Sequence, residues 1–273
     1  MSDIIQVFCE DKHHSLVLSH LLTKRQKGTA DVRIVQTGGV RGARAFKEGY
    51  NKRTGVQSKM DIFFRDRDFD FPPTEQVALN TLEGEKNTYI LHRTTIENYL
   101  IDVDMFLAYT SQYYPQIASL QGKTNIVNLF TEGAKRIRAY VAVRHTLGFF
   151  RRNYSFATTW TGGSGHLPSN LDKDECVEQG FSLIEDKRKI ICPINKEAFC
   201  QQFDTFYTRF DDIFYQNQLY WIWFNAKDIE KAVRPQLPPN FSFDAYYSFA
   251  LKNLNFTEKY KDLADMLDIL EQY

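Results

Sequence analysis

Two spacings of apolar residues alternate over the first hundred positions, and the alternation predicts strands and helices in turn. Residues 4–10 (Ile-Ile-Gln-Val-Phe-Cys-Glu) are an apolar run of strand length that ends in acid. Residues 13–27 read as a helix with Leu16, Leu18, Leu21 and Leu22 on its apolar side. Residues 31–37 read as a second strand, 41–53 as a basic helix, and 60–65 as a third strand that runs into Asp66-Arg67-Asp68-Phe69-Asp70. Pro72-Pro73 breaks the chain, and residues 88–93 form a fourth strand leading into Ile96-Glu97-Asn98-Tyr99-Leu100. This order predicts an α/β fold with a parallel sheet flanked by helices.

Beyond about residue 102 the period changes. Ile126, Phe130, Ala134, Ile137 and Val141 recur at helical spacing within 124–152, as do Tyr260, Leu263, Leu267 and Leu270 within 257–272. Trp160-Thr-Gly-Gly-Ser-Gly165 and the prolines at 235, 238 and 239 mark loops, and 219–224 is aromatic enough to allow a strand. The division expected is 1–105, a metal-binding α/β domain, and 106–273, a mostly helical extension for partner or substrate docking.

The 273 residues are 43% hydrophobic and 15% aromatic, enough for a sizeable core and against disorder. No apolar run reaches 18 residues, so no membrane partner is expected. The start, Met-Ser-Asp before an apolar strand, lacks the features of a signal peptide, and the expected location is cytoplasmic. Cys9, Cys176, Cys192 and Cys200 form no Cys-x-x-Cys pair, so reduced thiols are expected and a zinc ribbon is not.

Lysine plus arginine and aspartate plus glutamate both total 34, which argues against a passive basic nucleic-acid coat protein. Basic residues nevertheless cluster at Arg33, Arg41, Arg44, Lys47, Lys52, Arg53 and Lys59, and again at Lys135, Arg136, Arg138, Arg144, Arg151 and Arg152. The last helix is acidic through Asp262, Asp265, Asp268 and Glu271. Such runs are either solvated faces or phosphate contacts.

The acids at the strand ends carry the candidate chemistry. In an open α/β sheet the carboxyl ends of the strands line the ligand crevice, and neighbouring strands lie about 4.8 Å apart. If the first and third strands are neighbours, Glu10, Asp66 and Asp68 converge, a donor set suited to Mg²⁺ or Mn²⁺. Kept extended, the run would also put Asp70 on the same face as Asp66 and Asp68. An EF-hand is excluded, because its sixth and twelfth positions hold Phe71 and Val77. A phosphatase using the first Asp of an Asp-x-Asp pair as nucleophile stays open, although it leaves Glu10 without a role.

A Glu ending the first strand, a helix after it and an Asp-x-Asp ending a later strand resemble the Toprim domain of topoisomerases, primases and OLD-type nucleases. Arg93-Thr-Thr-Ile-Glu97-Asn-Tyr-Leu100 resembles a segment of Toprim-like effectors that pair with ABC-type ATPases in anti-phage systems, those of the PARIS type among them. Phe224-Asn-Ala-Lys227-Asp228-Ile229 resembles their Gly-Lys-Asp segment, with Asn-Ala where Gly is usual. The resemblance implies a Mg²⁺- or Mn²⁺-dependent endonuclease, a toxin of antiviral defence that cuts host tRNA or DNA. It makes Glu10 the general base or chief metal ligand, Asp66 and Asp68 metal ligands, Glu97 the completing acid and Lys227 the catalytic lysine. It also implies an ABC-type ATPase encoded nearby as partner, and a homodimer when active. A non-catalytic regulatory subunit of such a complex is the alternative of another class.

Weaker signals remain. Gly38-Gly39-Val40-Arg41-Gly42 reads as a tight turn or a phosphate contact, and Gln121-Gly-Lys-Thr124 has Ile117 where a P-loop needs its first Gly. His13-His14 lies near enough to Glu10 to reach a metal, though histidines at a helix start are usually solvated. His145 reads as structural or phosphate-facing. The aromatics of 203–224 read as a core or partner interface, with base stacking as the alternative.

Overall fold

The computed structural model describes residues 3–38, 43–82, 84–154, 160, 163–185 and 194–273. The chain folds as two units, residues 1–67, 74–100 and 248–273 in one, 68–73 and 101–247 in the other. The sequence division at 105 had placed 248–273 with the extension; here they belong to the first unit.

The first unit is built on a five-stranded sheet in the order β2-β1-β3-β5-β4, parallel except for its last pair. In chain order it contains β1 (Ile4–Cys9), α1 (Lys12–Thr23), β2 (Asp31–Gln36), α2 (Ala43–Thr54), β3 (Met60–Arg65), β4 (Asn80–Thr81), β5 (Thr88–Ile90) and α3 (Glu97–Leu100). Residues 5–9 of β1 are all buried, as expected for a central parallel strand. Phe8 lies opposite Phe63 in register, and their rings stack at 4.9 Å. The path from β1 through α1 to β2 runs to one side, and the return through α2 to β3 crosses to the other. The carboxyl ends of β1 and β3 therefore flank the switch point where open α/β sheets bind ligands.

Asp11 caps α1 by accepting the His14 N–H at 3.0 Å. The buried face of α1 is His14, Val17, Leu18 and Leu21, rotated from the leucine stripe expected, so that Leu16 is exposed. Helical spacing from Val17 to Leu21 fixes the face, and counting leucines alone missed it.

The second unit is helical: α4 (Val103–Tyr113), α5 (Lys123–Arg136), α6 (Arg138–Tyr154), α7 (Lys173–Glu185), α8 (Lys196–Arg209), α9 (Asp212–Gln216), α10 (Tyr220–Trp223) and α11 (Ala226–Val233). The apolar period over 124–152 is split between α5 and α6 at Ile137. The aromatic run 219–224 forms the short helix α10 and no strand. Phe203, Phe210, Phe214, Tyr220, Trp223 and Phe224 are all buried, so these rings build the core and are not offered to bases or partners. His145 is buried too, stacked on Phe206 and bonded to the Trp223 carbonyl at 3.0 Å, which makes it structural. Lys123, in the P-loop-like segment, pairs with Asp104 at 2.8 Å.

The unit boundary falls inside α12 (Phe243–Asn253), and α13 (Phe256–Lys259) and α14 (Lys261–Glu271) complete the first unit. The acids of α14 are only partly a solvated face. Asp262 is buried and accepts the His92 N–H at 3.2 Å and the Tyr99 hydroxyl, while Glu271 accepts the Gln26 N–H at 2.8 Å. Burial first, then the Asp262 carboxylate, push the Tyr99 hydroxyl well above its ordinary pKa. Tyr99→Phe is expected to cost about 1.5–3 kcal/mol, the range for losing a hydrogen bond to a buried charged group, as read by urea unfolding.

Among the described residues, no helix is long and apolar enough to cross a membrane. Cys9, Cys176 and Cys200 are free thiols, and Cys192 lies outside the described residues.

Candidate metal centre

The centre lies at the carboxyl edge of the sheet in the first unit. Register leaves Glu10 and Asp66 just beyond paired β1 and β3, and the Asp66 N–H donates to Glu10 Oε1 at 3.1 Å. Asp66 Oδ1 accepts the Ile96 N–H at 2.9 Å, which ties it to the turn that opens α3. The next residue, Glu97, is wholly buried, and its Oε1 meets His13 Nδ1 at 3.0 Å. Glu10 thus meets Asp66 through the Asp66 backbone N–H, and Asp66 meets the residue before Glu97, whereas among the described residues only Asp11, His13 and Glu97 bring three ligand atoms within 4.8 Å of one another.

The 92–100 segment is shaped for this placement. Asn98 Oδ1 accepts from both the N–H and the hydroxyl of Thr95, at 3.1 and 2.8 Å, and closes the turn. Arg93 donates to the Asn98 carbonyl at 2.6 Å and lies over the rings of Tyr99 and Tyr260. Ile96 and Leu100 enter the core, which leaves Glu97 directed at His13. Arg67 is buried, donating to the His92 carbonyl and the Thr94 hydroxyl, each at 3.0 Å. A buried arginine between two aspartates carries no periodic signal, and the sequence gives no hint of it.

Electrostatics mark the same edge. Burial, then Asp11, Glu10 and Asp66, push the Cys9 thiol up to about 12. Burial lowers His14 to about 4 while Asp11 and Glu97 pull it upward, so the ring is neutral near pH 7. His14 Nδ1 is 3.8 Å from Asp66 Oδ1, and neither ring nitrogen has a hydrogen-bond partner. The donor chemistry fits a divalent cation. Carboxylates as buried as those of Glu97 and Asp66 need hydrogen bonds or counter-charge, and coordination is one way proteins keep such groups.

The other expected site residues belong to the second unit, Asp68 and Asp70 among them. The extended run that would have aligned them with Asp66 does not form: β3 ends at Arg65, and Asp68 adopts a left-handed φ of 49°. Aspartate tolerates that conformation in turns. Asp70 is ion-paired with Arg151, and its carbonyl accepts from Arg152, so its carboxylate already has a cation. Lys227 is also in the second unit, where its N–H is capped by Asn225 Oδ1 at 2.9 Å at the start of α11. The next residue, Asp228, is buried and accepts from Arg144 at 2.7 Å and the Gly165 N–H at 2.6 Å.

The basic cluster of 135–152 is largely committed inside the second unit. Arg136 donates to the Ala232 carbonyl and Arg138 to that of Tyr207, while Arg144 and Arg151 pair with Asp228 and Asp70. In the first unit Arg33, Lys47 and Lys59 pair with Asp31, Asp61 and Asp3, and Lys52 and Arg53 remain exposed on α2. Arg41 and most of the Gly38–Gly42 turn lie outside the described residues, as do the side chain of Arg44 and residues 161–162.

In the second unit a cavity of about 220 Å³ is lined by Asp68, Phe69, Arg144, Arg151, Trp160 and Ser164. One wall depends on Gly148, where an added Cβ would lie 1.9 Å from the Phe69 carbonyl oxygen. Gly148→Ala is expected to displace Phe69 and cost about 1–3 kcal/mol, measurable as a lower thermal midpoint.

Asp11 is the residue the sequence reading missed at this candidate site, while His13, weighed there as a possible ligand and set against the usual solvated reading, meets Glu97. Ligand atoms of Asp11, His13 and Glu97 all lie within 4.8 Å of one another. The available signal was an Asp cap two residues before a histidine on the helix that follows Glu10. No family profile matches this sequence, and no curated protein is similar to it at a significant level.

Proposed function

We propose that the chain is a metal-dependent, Toprim-like endonuclease that cleaves nucleic-acid phosphodiesters, host tRNA in preference to DNA. The observation that carries this reading is the meeting of Glu10 and Asp66 at the sheet's switch point, with Glu97 held beside them. Glu10, Asp66 and Glu97 would hold a Mg²⁺ or Mn²⁺ ion, which supplies Lewis-acid activation of water and neutralises charge on the scissile phosphate. Glu10 is the most exposed of the three acids and the one suited to take the proton of the attacking water. Asp66, fixed through Ile96 N–H and the buried Arg67 beside it, keeps the carboxylates in place. Asp68 as a further metal ligand and Lys227 as stabiliser of the leaving group follow from the resemblance alone.

In the cell the reading makes the chain a toxic effector of anti-phage defence, held by an ABC-type ATPase and active once released, as a homodimer. Two measurements test it. Purified protein incubated with total tRNA and plasmid DNA in Mg²⁺ or Mn²⁺ is expected to fragment tRNA, and a chelator is expected to stop it. Failure to cut either nucleic acid with any divalent cation would overturn the activity. Co-expression with a neighbouring ATPase should give co-elution on size exclusion. A nuclease that never co-elutes and is fully active alone contradicts the control.

A further inference from the structure

The sheet edge carries more nitrogen than a carboxylate-and-water centre needs. We propose that Asp11, His13 and Glu97 form a mixed oxygen–nitrogen site for a first-row transition cation such as Mn²⁺, Co²⁺ or Zn²⁺, preferred over Mg²⁺, with the His13 imidazole as a direct ligand. This rests on the metal-dependent reading above and names the class of cation it takes.

Geometry supports it first. One ligand atom from each residue lies within 4.8 Å of the others, and His13 Nδ1 and Glu97 Oε1 are 3.0 Å apart. Ligands at about 2.0–2.2 Å from a metal are separated by at most about 4.4 Å, so small side-chain rotations close the set. Asp11 Oδ1 caps α1, which fixes its carboxylate beside His13 within the cluster. Glu97 is wholly buried while the His13 side chain is 20% exposed, so a cation reaches the site past the imidazole.

His14 is the second observation. Its side chain is wholly buried, both ring nitrogens lack a hydrogen-bond partner, and Nδ1 stands 3.8 Å from Asp66 Oδ1. Buried polar groups are almost always satisfied. A gap of 3.8 Å is too long for a hydrogen bond and falls within the span of two ligands sharing one cation. His14 therefore faces Asp66, whose Oδ1 also accepts the N–H of Ile96, the residue before Glu97.

The donor types then decide the cation. Mg²⁺ takes oxygen ligands in a near-ideal octahedron and keeps several waters. Imidazole favours first-row transition metals, whose affinity for a given nitrogen-containing site rises from Mn²⁺ through Co²⁺.

Titration calorimetry with Mg²⁺, Mn²⁺ and Co²⁺, together with the visible absorption of bound Co²⁺, tests this on the full chain. Wild type is expected to bind Co²⁺ at least ~10-fold more tightly than Mg²⁺. His13→Gln, which can still donate to Glu97, is expected to weaken Co²⁺ by at least ~10-fold, to change its visible bands, and to weaken Mg²⁺ by a smaller factor than Co²⁺. Tighter Mg²⁺ binding, or Co²⁺ binding and bands indifferent to His13→Gln, would overturn the proposal. If Glu10→Gln still removes Co²⁺ binding in that case, the carboxylate centre stands without His13. No binding of any of the three cations would overturn both.

Discussion

Glu10→Gln is expected to fold as wild type does and to lose on the order of 10²–10⁴-fold in cleavage rate, the range for removing a positioned general base. The substitution isolates the chemistry. Gln keeps the Oε1 that accepts the Asp66 N–H at 3.1 Å, so the local bond between the β1 and β3 ends survives. What disappears is the negative charge and the group that takes a proton. Stability should be unchanged or slightly raised, because neighbouring carboxylates repel one another without a cation. Cleavage of tRNA by equal amounts of the two proteins, with matching circular dichroism spectra, measures the effect. A Gln variant as active as wild type would remove Glu10 from the mechanism.

Arg144→Met is expected to destabilise the protein by about 3–5 kcal/mol at neutral pH, the cost of stranding one member of a buried ion pair. Asp228 is wholly buried and Arg144 only 10% exposed, with 2.7 Å between them. Arg144 also bonds to the Tyr140 hydroxyl and Ser164 Oγ, each at 3.1 Å, and lies 4.0 Å over the Phe69 ring. Met retains the apolar stem but not the charge, and Asp228 is left desolvated. Adding Asp228→Asn should recover most of the loss, since Asn still accepts the Gly165 N–H. Burial already raises the Asp228 pKa above its ordinary 3.8 in spite of Arg144, and removing the arginine raises it further. A carboxylate whose folded pKa lies above its unfolded value costs stability when ionised, and that cost is relieved as pH falls from the folded value toward 3.8. The Arg144→Met deficit should therefore shrink in acid, while the double variant shows no such relief. Urea unfolding across pH checks both statements.

The parts of this structure legible in the sequence are those where one residue type has one common use. β1 could be read because a central parallel strand is apolar on both faces, and an acid at its end marks the sheet's ligand edge. The pairing of β1 with β3, and so the meeting of Glu10 with Asp66, entered the sequence reading only as a condition, because strand–helix alternation predicts a parallel sheet without ordering its strands; the register supplies it. Asp68 and Asp70 could not be placed by a period of two, because the left-handed turn at Asp68 ends the strand geometry. Charged residues misled most often. Arg67, Asp262 and Asp228 look solvated by type, yet each is buried against specific partners from distant positions in the sequence. The aromatic stretch 203–224 read equally as core or as partner surface, and packing that the sequence does not display makes it core. His13 and His14 look alike, and the register of α1 decides which is wholly buried and which keeps a solvent path.

The central claim is that the carboxyl edge of β1 and β3 holds a catalytic divalent cation, and anomalous scattering from crystals soaked in MnCl₂ tests it most directly. The account predicts a manganese peak within about 2.2 Å of carboxylate oxygens drawn from Glu10, Asp66 and Glu97, absent from Glu10→Gln crystals treated alike. Saturating Mn²⁺ that leaves this edge without a peak, or peaks only elsewhere on the molecule, would contradict it.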